Sequence, residues 1–196
     1  MTKATTDKKP DGRVQRSERS RQAIIEAMLD LVQQGNLVPT AQQVAEHAGV
    51  GIRTVFRHFN DMEGLFQTMD AATIEAYRDL FNGGDREGSL SDRIQHAVET
   101  HADAYEQVGP IMLSTRAQMW RFEILRENYA RSQRELRKDL QHWLPEMRKL
   151  PPLEQELVEA TASFEYWNRL REQQGLSKKK AMTAVTMQLT RLFNQG

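Results

Sequence analysis

The chain has 196 residues, enough to bury a sizeable core in one large domain or two small ones, and its 27 Lys and Arg balance its 27 Asp and Glu. Zero formal net charge excludes a polycation that coats nucleic acid indiscriminately, so any DNA binding must come from local arrangement. The absence of cysteine excludes disulfide scaffolds, thiolate zinc sites and cysteine nucleophiles, and no run approaches the roughly 18 apolar residues that span a bilayer.

Residues 1–16 carry almost no large apolar side chain and read as a flexible basic arm, with Arg13 and Arg16 as candidate phosphate or minor-groove contacts. A solubilising tail explains the same composition. Helical periodicity starts at Ser17, where Ile24, Ile25, Met28, Leu29 and Val32 form one stripe that Gly35 and Pro39 end. Thr40 and Gln43 have capping-box spacing, and the short helix that follows, with Val44 and Ala45, stops at Gly49. A second short helix spans about Ile52 to His58. Two short helices joined by a tight Gly-containing turn make a helix-turn-helix pattern. Asn60 and Asp61 start a longer helix to about Phe81, and residues 82–91 form the clearest linker.

Beyond the linker the helices lengthen. The stripe Ile94, Ala97, Val98, His101, Ala102, Tyr105, Val108 is expected to end at Gly109-Pro110. A short turn and a long helix to about residue 142 follow, and Pro145, Pro151 and Pro152 fence a connection. One helix over 153–174, capped by Gly175, and a last one over 177–194, N-capped by Ser177, complete the reading. No alternating strand pattern appears. The expected fold is all-α, about nine helices: a helix-turn-helix domain over 17–81 and a second helical domain over 82–196.

The segment Thr40 to Leu65, TAQQVAEHAGVGIRTVFRHFNDMEGL, resembles the DNA-binding domain of the TetR family of bacterial transcription regulators. The resemblance rests on Thr40, Val44-Ala45, Ala48-Gly49-Val50, Thr54, the aromatic Phe56, His58-Phe59, and Glu63 with Leu65. It implies a cytoplasmic regulator, most often a repressor, that binds a palindromic duplex operator as a homodimer and is released by a small-molecule effector. The implied interface lies on the helices over 153–174 and 177–194, with apolar stripes Leu153, Leu157, Phe164 and Val185, Leu189, Phe193. Helix geometry agrees with a reading element here. Val55 and Phe59 at i, i+4 should face inward, leaving Arg53, Thr54 and Arg57 outward, where an Arg can pair with a guanine edge. Thr40 and Ala41 can offer backbone N–H groups to a phosphate, and Gln42 can reach adenine. Ile52 is either core, the favoured reading, or an apolar contact to a thymine methyl.

Three positions depart from the family pattern. Gly51 stands where relatives carry a Ser or Thr cap, Phe56 replaces a Tyr, and Met62 replaces a Lys that grips the backbone. Arg57, His58 and the basic arm are the expected substitutes. The run Lys178, Lys179, Lys180 opens the last helix, where the dipole disfavours cations, and a solvated end is its simplest account.

For an effector, the resemblance implies a pocket among the middle helices of the second domain. The candidates there are His101, Tyr105, Met112, Arg116, Met119, Trp120, Phe164 and Trp167, most of which serve equally well as core. No cofactor, metal or catalytic constellation emerges: there is no His-x-x-x-His, no Glu-x-x-His, no Gly-rich phosphate loop and no Gly-x-Ser-x-Gly. A helical-bundle enzyme is therefore the weaker alternative. A DNA binder answering to a protein partner, or to nothing, is the stronger one.

Overall fold

The structure is a computed structural model that describes residues 12–194, with the side chains of residues 75–77 and 82 left aside. Among the described residues there are nine α-helices and no strand: α1 (Gly12–Gln33), α2 (Ala41–His47), α3 (Ile52–Phe59), α4 (Met62–Asn82), α5 (Leu90–Gln118), α6 (Glu123–Trp143), α7 (Pro152–Ala162), α8 (Phe164–Asn168) and α9 (Lys178–Asn194). A 3-10 turn (Pro145–Lys149) links α6 to α7, and a π turn (Arg169–Gln173) extends α8. Two compact units meet inside α4, between Met69 and Asp70. The Gly-rich 82–91 segment thus marks the end of α4, while the compact units part earlier, because the later α4 side chains pack with the second unit. Phe81, for example, lies edge-on to His101 and Tyr105, each at 5.6 Å between ring centres.

The first unit buries an apolar stripe from each of its helices. Ile24, Ile25, Met28 and Val32 of α1, Val44 and Ala45 of α2, Val55 and Phe59 of α3, and Leu65, Phe66 and Met69 of α4 are all buried. The Thr40–Gln43 capping box forms as its spacing predicts. The Thr40 hydroxyl accepts from the Gln43 N–H at 3.3 Å, and Gln43 Oε1 accepts from the Thr40 N–H at 2.9 Å. Gly49, at φ +65°, makes the turn into α3. The onset of α1 is a correction: the helix begins at Gly12, not Ser17. Residues 12–16 bury nothing, but a helix already nucleated by the Ile24–Val32 stripe extends at little cost, and Arg16 Nε donates back to the Gly12 carbonyl at 3.2 Å. The rest of the basic arm, residues 1–11, lies outside the described residues.

In the second unit α5 and α9 form the centre, with Val98, Ala102 and Tyr105 packed with Leu140, Trp143, Phe164, Trp167, Val185 and Leu189. Two helix boundaries differ from the sequence reading. α5 does not stop at Gly109-Pro110; it runs on to Gln118, because Ile111, Ser114, Thr115 and Gln118 beyond the proline are all buried and their packing outweighs the roughly 3 kcal/mol that an interior proline costs. Gly109 is buried beside the Phe164 ring. The helix expected over 153–174 is broken at Ser163, whose backbone is extended (φ −75°, ψ 157°) and whose hydroxyl accepts from the Tyr166 N–H to start α8. Tyr105 Oη donates to the Ala162 carbonyl at 2.9 Å, giving one of the orphan acceptors at that break a partner. The lysine run also gains an explanation: Lys178 pairs with Asp103, so one of its three charges is answered across to α5.

The packing gives a test in the first unit. A Cβ at Gly64 would overlap the Phe59 carbonyl oxygen, a backbone atom that cannot swing aside, whereas a Cβ at Gly12 meets nothing within 4 Å. Gly64→Ala should therefore lower stability by about 1–3 kcal/mol and Gly12→Ala should not, read from thermal or urea unfolding.

Candidate nucleic-acid interface and ligand cavity

α3 is eight residues long, and its two faces differ sharply. Val55 and Phe59 are buried, whereas Ile52, Arg53, Phe56 and Arg57 are exposed and Thr54 is half-buried. Spacings of three and four residues put the two guanidinium groups on one side of the cylinder, beside an apolar edge made by Ile52 (38% exposed) and Phe56 (40% exposed). Ile52 is thus a surface residue, which corrects the expectation of core; it stands at the first position of α3, where the inward stripe of Val55 and Phe59 runs out. Among the described residues neither Arg53 nor Arg57 has a carboxylate within 4.0 Å. Gly51 caps without a side-chain hydrogen bond, as its lack of a side chain requires.

The flanking candidates are differently placed. Gln42 is exposed on α2, but its amide donates to Glu46 Oε1 at 2.6 Å, and Ala41 is buried at the helix start. Arg13 and Arg16 stand on the exposed part of α1. His58 is half-buried against Phe59, with ring centres 6.2 Å apart, and its Nε2 has no partner among the described residues. Burial, with Arg57 and Arg21 nearby, holds its imidazole below the ordinary value of 6.5. Its expected role as a cationic grip is therefore weakened at neutral pH. Arg21 itself lies 5.5 Å from the centre of the Phe59 ring, so a cation from α1 braces the residue that anchors α3.

In the second unit one cavity stands out, at about 250 Å³, beside two crevices of about 20 Å³ each. The crevices have room for about one water apiece; the large cavity has room for a small organic molecule. Its wall comes from the second part of α4 (Asp70, Thr73, Ile74, Arg78, Phe81), from α5 and from α6. Of the expected effector contacts only Met112 lines it. His101, Tyr105 and Trp167 border a small crevice, Phe164 is core, Trp120 is 82% exposed, and Arg116 pairs with Glu165 at 3.3 Å; Met119 lines none of the three. His101 and Tyr105 instead stand behind the cavity wall, holding Phe81 edge-on. The lining from α4 went unread because that helix reads as part of the DNA-binding domain. A signal was present: Asp70 follows Phe66 by four residues and so falls on the inward stripe.

The polar framework around the cavity is tightly matched on one side. Asp139 accepts from Arg86 at 2.7 Å and from His101 Nε2 at 3.2 Å. Burial works against its charge, but those two donors prevail and hold the carboxyl below the usual carboxylate range. Tyr129 donates to Glu165, and both burial and that carboxylate push its phenol well up. Among the described residues no group of three metal-ligating side chains is present, and no helix is long and apolar enough to cross a membrane.

A short helix presented by a tight turn, two cations and an apolar edge facing out, defines a helix-turn-helix DNA-binding domain. Residues 24–69 match the family model of bacterial regulatory proteins, tetR family. The whole chain shares the fold of known regulators. A transcriptional regulator from Rhodococcus sp. Rha1 is 16% identical, with 91% of this chain and 96% of that one covered and a TM-score of 0.68. A Rhodococcus protein described as a TetR-family transcriptional regulator is 19% identical over 89% and 98%, with a TM-score of 0.65. The fatty acid degradation regulator FadR of Bacillus halodurans is 15% identical over 93% and 96%, with a TM-score of 0.53. No curated protein matches the sequence.

The depressed imidazole of His58 has a measurable consequence. Between 6.5 and its lower folded value the unfolded chain binds a proton that the folded chain refuses. Its contribution to stability is complete above 6.5 and is lost as pH falls through that window. An NMR titration should find the His58 ring titrating below 6.5, and His58→Asn should flatten the loss of stability on acidification through that range.

Proposed function

We propose that the protein is a transcriptional repressor that binds a palindromic duplex operator as a homodimer through α3, and that a small molecule in the α4–α5–α6 cavity releases it. The observation that carries this reading is the phase of α3, with Val55 and Phe59 inward and Arg53 and Arg57 outward without acidic partners among the described residues. In a major groove each Arg can take the O6 and N7 of a guanine, and the Ile52–Phe56 edge suits a thymine methyl. Arg13, Arg16 and Gln42, all exposed, would add backbone or base contacts, Gln42 once its bond to Glu46 is exchanged.

One recognition helix reads too few base pairs for a unique site, which calls for two copies. Leu153 (80% exposed), Leu157 and Met187 are large apolar side chains left in solvent on α7 and α9, and they suit a partner's equivalent face. Phe164, Val185 and Leu189, expected in that interface, are instead consumed by the protomer's own core, and Phe193 is half-buried. A ligand shifts the DNA equilibrium only if it prefers one of two dimer geometries. The continuous α4 serves as the link, since it supplies Leu65, Phe66 and Met69 to the first core and Asp70, Thr73 and Phe81 to the cavity.

Selection from a random duplex pool should return an inverted repeat. On that repeat Arg53→Ala should weaken binding by about 1–3 kcal/mol and relax preference at one base pair per half-site; an equal loss on every sequence would mean that Arg53 holds phosphate only. Leu157→Glu should give a monomer by sedimentation and lose the inverted repeat while keeping its helical circular dichroism.

A further inference from the structure

Three carboxylates border the large cavity, and two are already answered. Asp139 has Arg86 and His101. Glu135 is exposed and pairs with Lys138 at 2.7 Å. Asp70 is different: it is 7% exposed, and its side-chain partner is a neutral amide, Asn128 Nδ2 at 2.8 Å. Asn128 is itself buried, and its carbonyl oxygen is taken by Arg131. Burial pushes the Asp70 carboxyl up, with only partial relief from Asn128 and from the more distant Arg131.

The cavity's two cationic residues, Arg78 and Arg131, are exposed, so water screens them far more than it screens Asp70. The charge that an enclosed ligand feels most is therefore negative. The remaining wall is apolar and aromatic, with Ile74, Phe81, Ile111 and Met112. A ring such as Phe81 tolerates a neighbouring cation, whereas an anionic ligand would face a buried carboxylate with only the solvent-screened Arg78 and Arg131 to offset it.

We infer that this cavity takes an amphipathic organic cation, with its ammonium against the Asp70 carboxylate and its apolar body against Phe81, Ile111 and Met112. The inference rests on the cavity being the effector site and adds the charge and shape of what enters it. An ammonium there completes the hydrogen bonding of a buried carboxylate, an interaction stronger than a neutral pair.

The test uses the full chain and three probes of one shape: phenylbutylamine, phenylbutanol and phenylbutanoate, titrated calorimetrically near neutral pH. The amine should bind roughly tenfold or more tighter than the alcohol, and the acid weakest. Asp70→Asn should remove the preference for the amine and leave the alcohol's affinity in place; Ile111→Trp, which fills the cavity, should lose all three and serves if Asp70→Asn does not fold. Acid binding as tight as the amine, an amine preference that survives Asp70→Asn or cavity filling, or no binding by any probe would overturn the inference. Operator release is measured separately. An amine that binds through Asp70 yet leaves DNA bound would refute effector release and leave the cavity's charge selectivity standing.

Discussion

The rotational phase of α3 is the constraint on which the DNA-binding unit depends. Burying Val55 and Phe59 removes two large side chains from water, worth roughly 1.5–3 kcal/mol each. Because the helix advances 100° per residue, that burial alone decides where Arg53 and Arg57 go. A slip of two positions would put Arg53 and Arg57 where Val55 and Phe59 stand and bury two guanidinium groups without a partner, at a cost no groove contact could recover. Function at this surface thus follows from a packing decision made on its opposite side. Arg21 over the Phe59 ring and the Thr40–Gln43 box fix the neighbours of α3 and so restrict that phase further.

The second unit uses polar groups differently. Asp139 accepts from both Arg86 and His101, tying the Arg86 segment and α5 to α6. Asp70 keeps a carboxylate where only an amide answers it. Such an arrangement costs stability compared with an apolar residue of similar size, and a site that binds something is where that cost is tolerated. The same α4 that bears Asp70 also buries Phe66 four residues earlier.

Much of this was legible in the residue order. Periodic stripes, the Thr40 box, the glycine at 49 and the linker at 82–91 located the first four helices to within a few residues, apart from the early start of α1. These signals are local: a helix face, a cap and a turn are each decided within a few positions. The outward placement of Arg53 and Arg57 followed from the same arithmetic. Pro110 points to a helix end that does not occur, because burial beyond it overrides a proline's local preference.

What chain order by itself determined, then, is the kind of protein: helical throughout, with a turn-linked pair of short helices carrying cations on the face opposite Val55 and Phe59. Only the folded structure decided which aromatic residues became core, that Ile52 and Phe56 form an exposed edge, that Leu153 and Leu157 stay exposed while Phe164 and Val185 are buried, and that α4 lines a cavity with Asp70. Those outcomes depend on contacts between residues far apart in the chain, such as Asp70 with Asn128 and Asp139 with Arg86, and no periodicity encodes which distant helix a given face will meet.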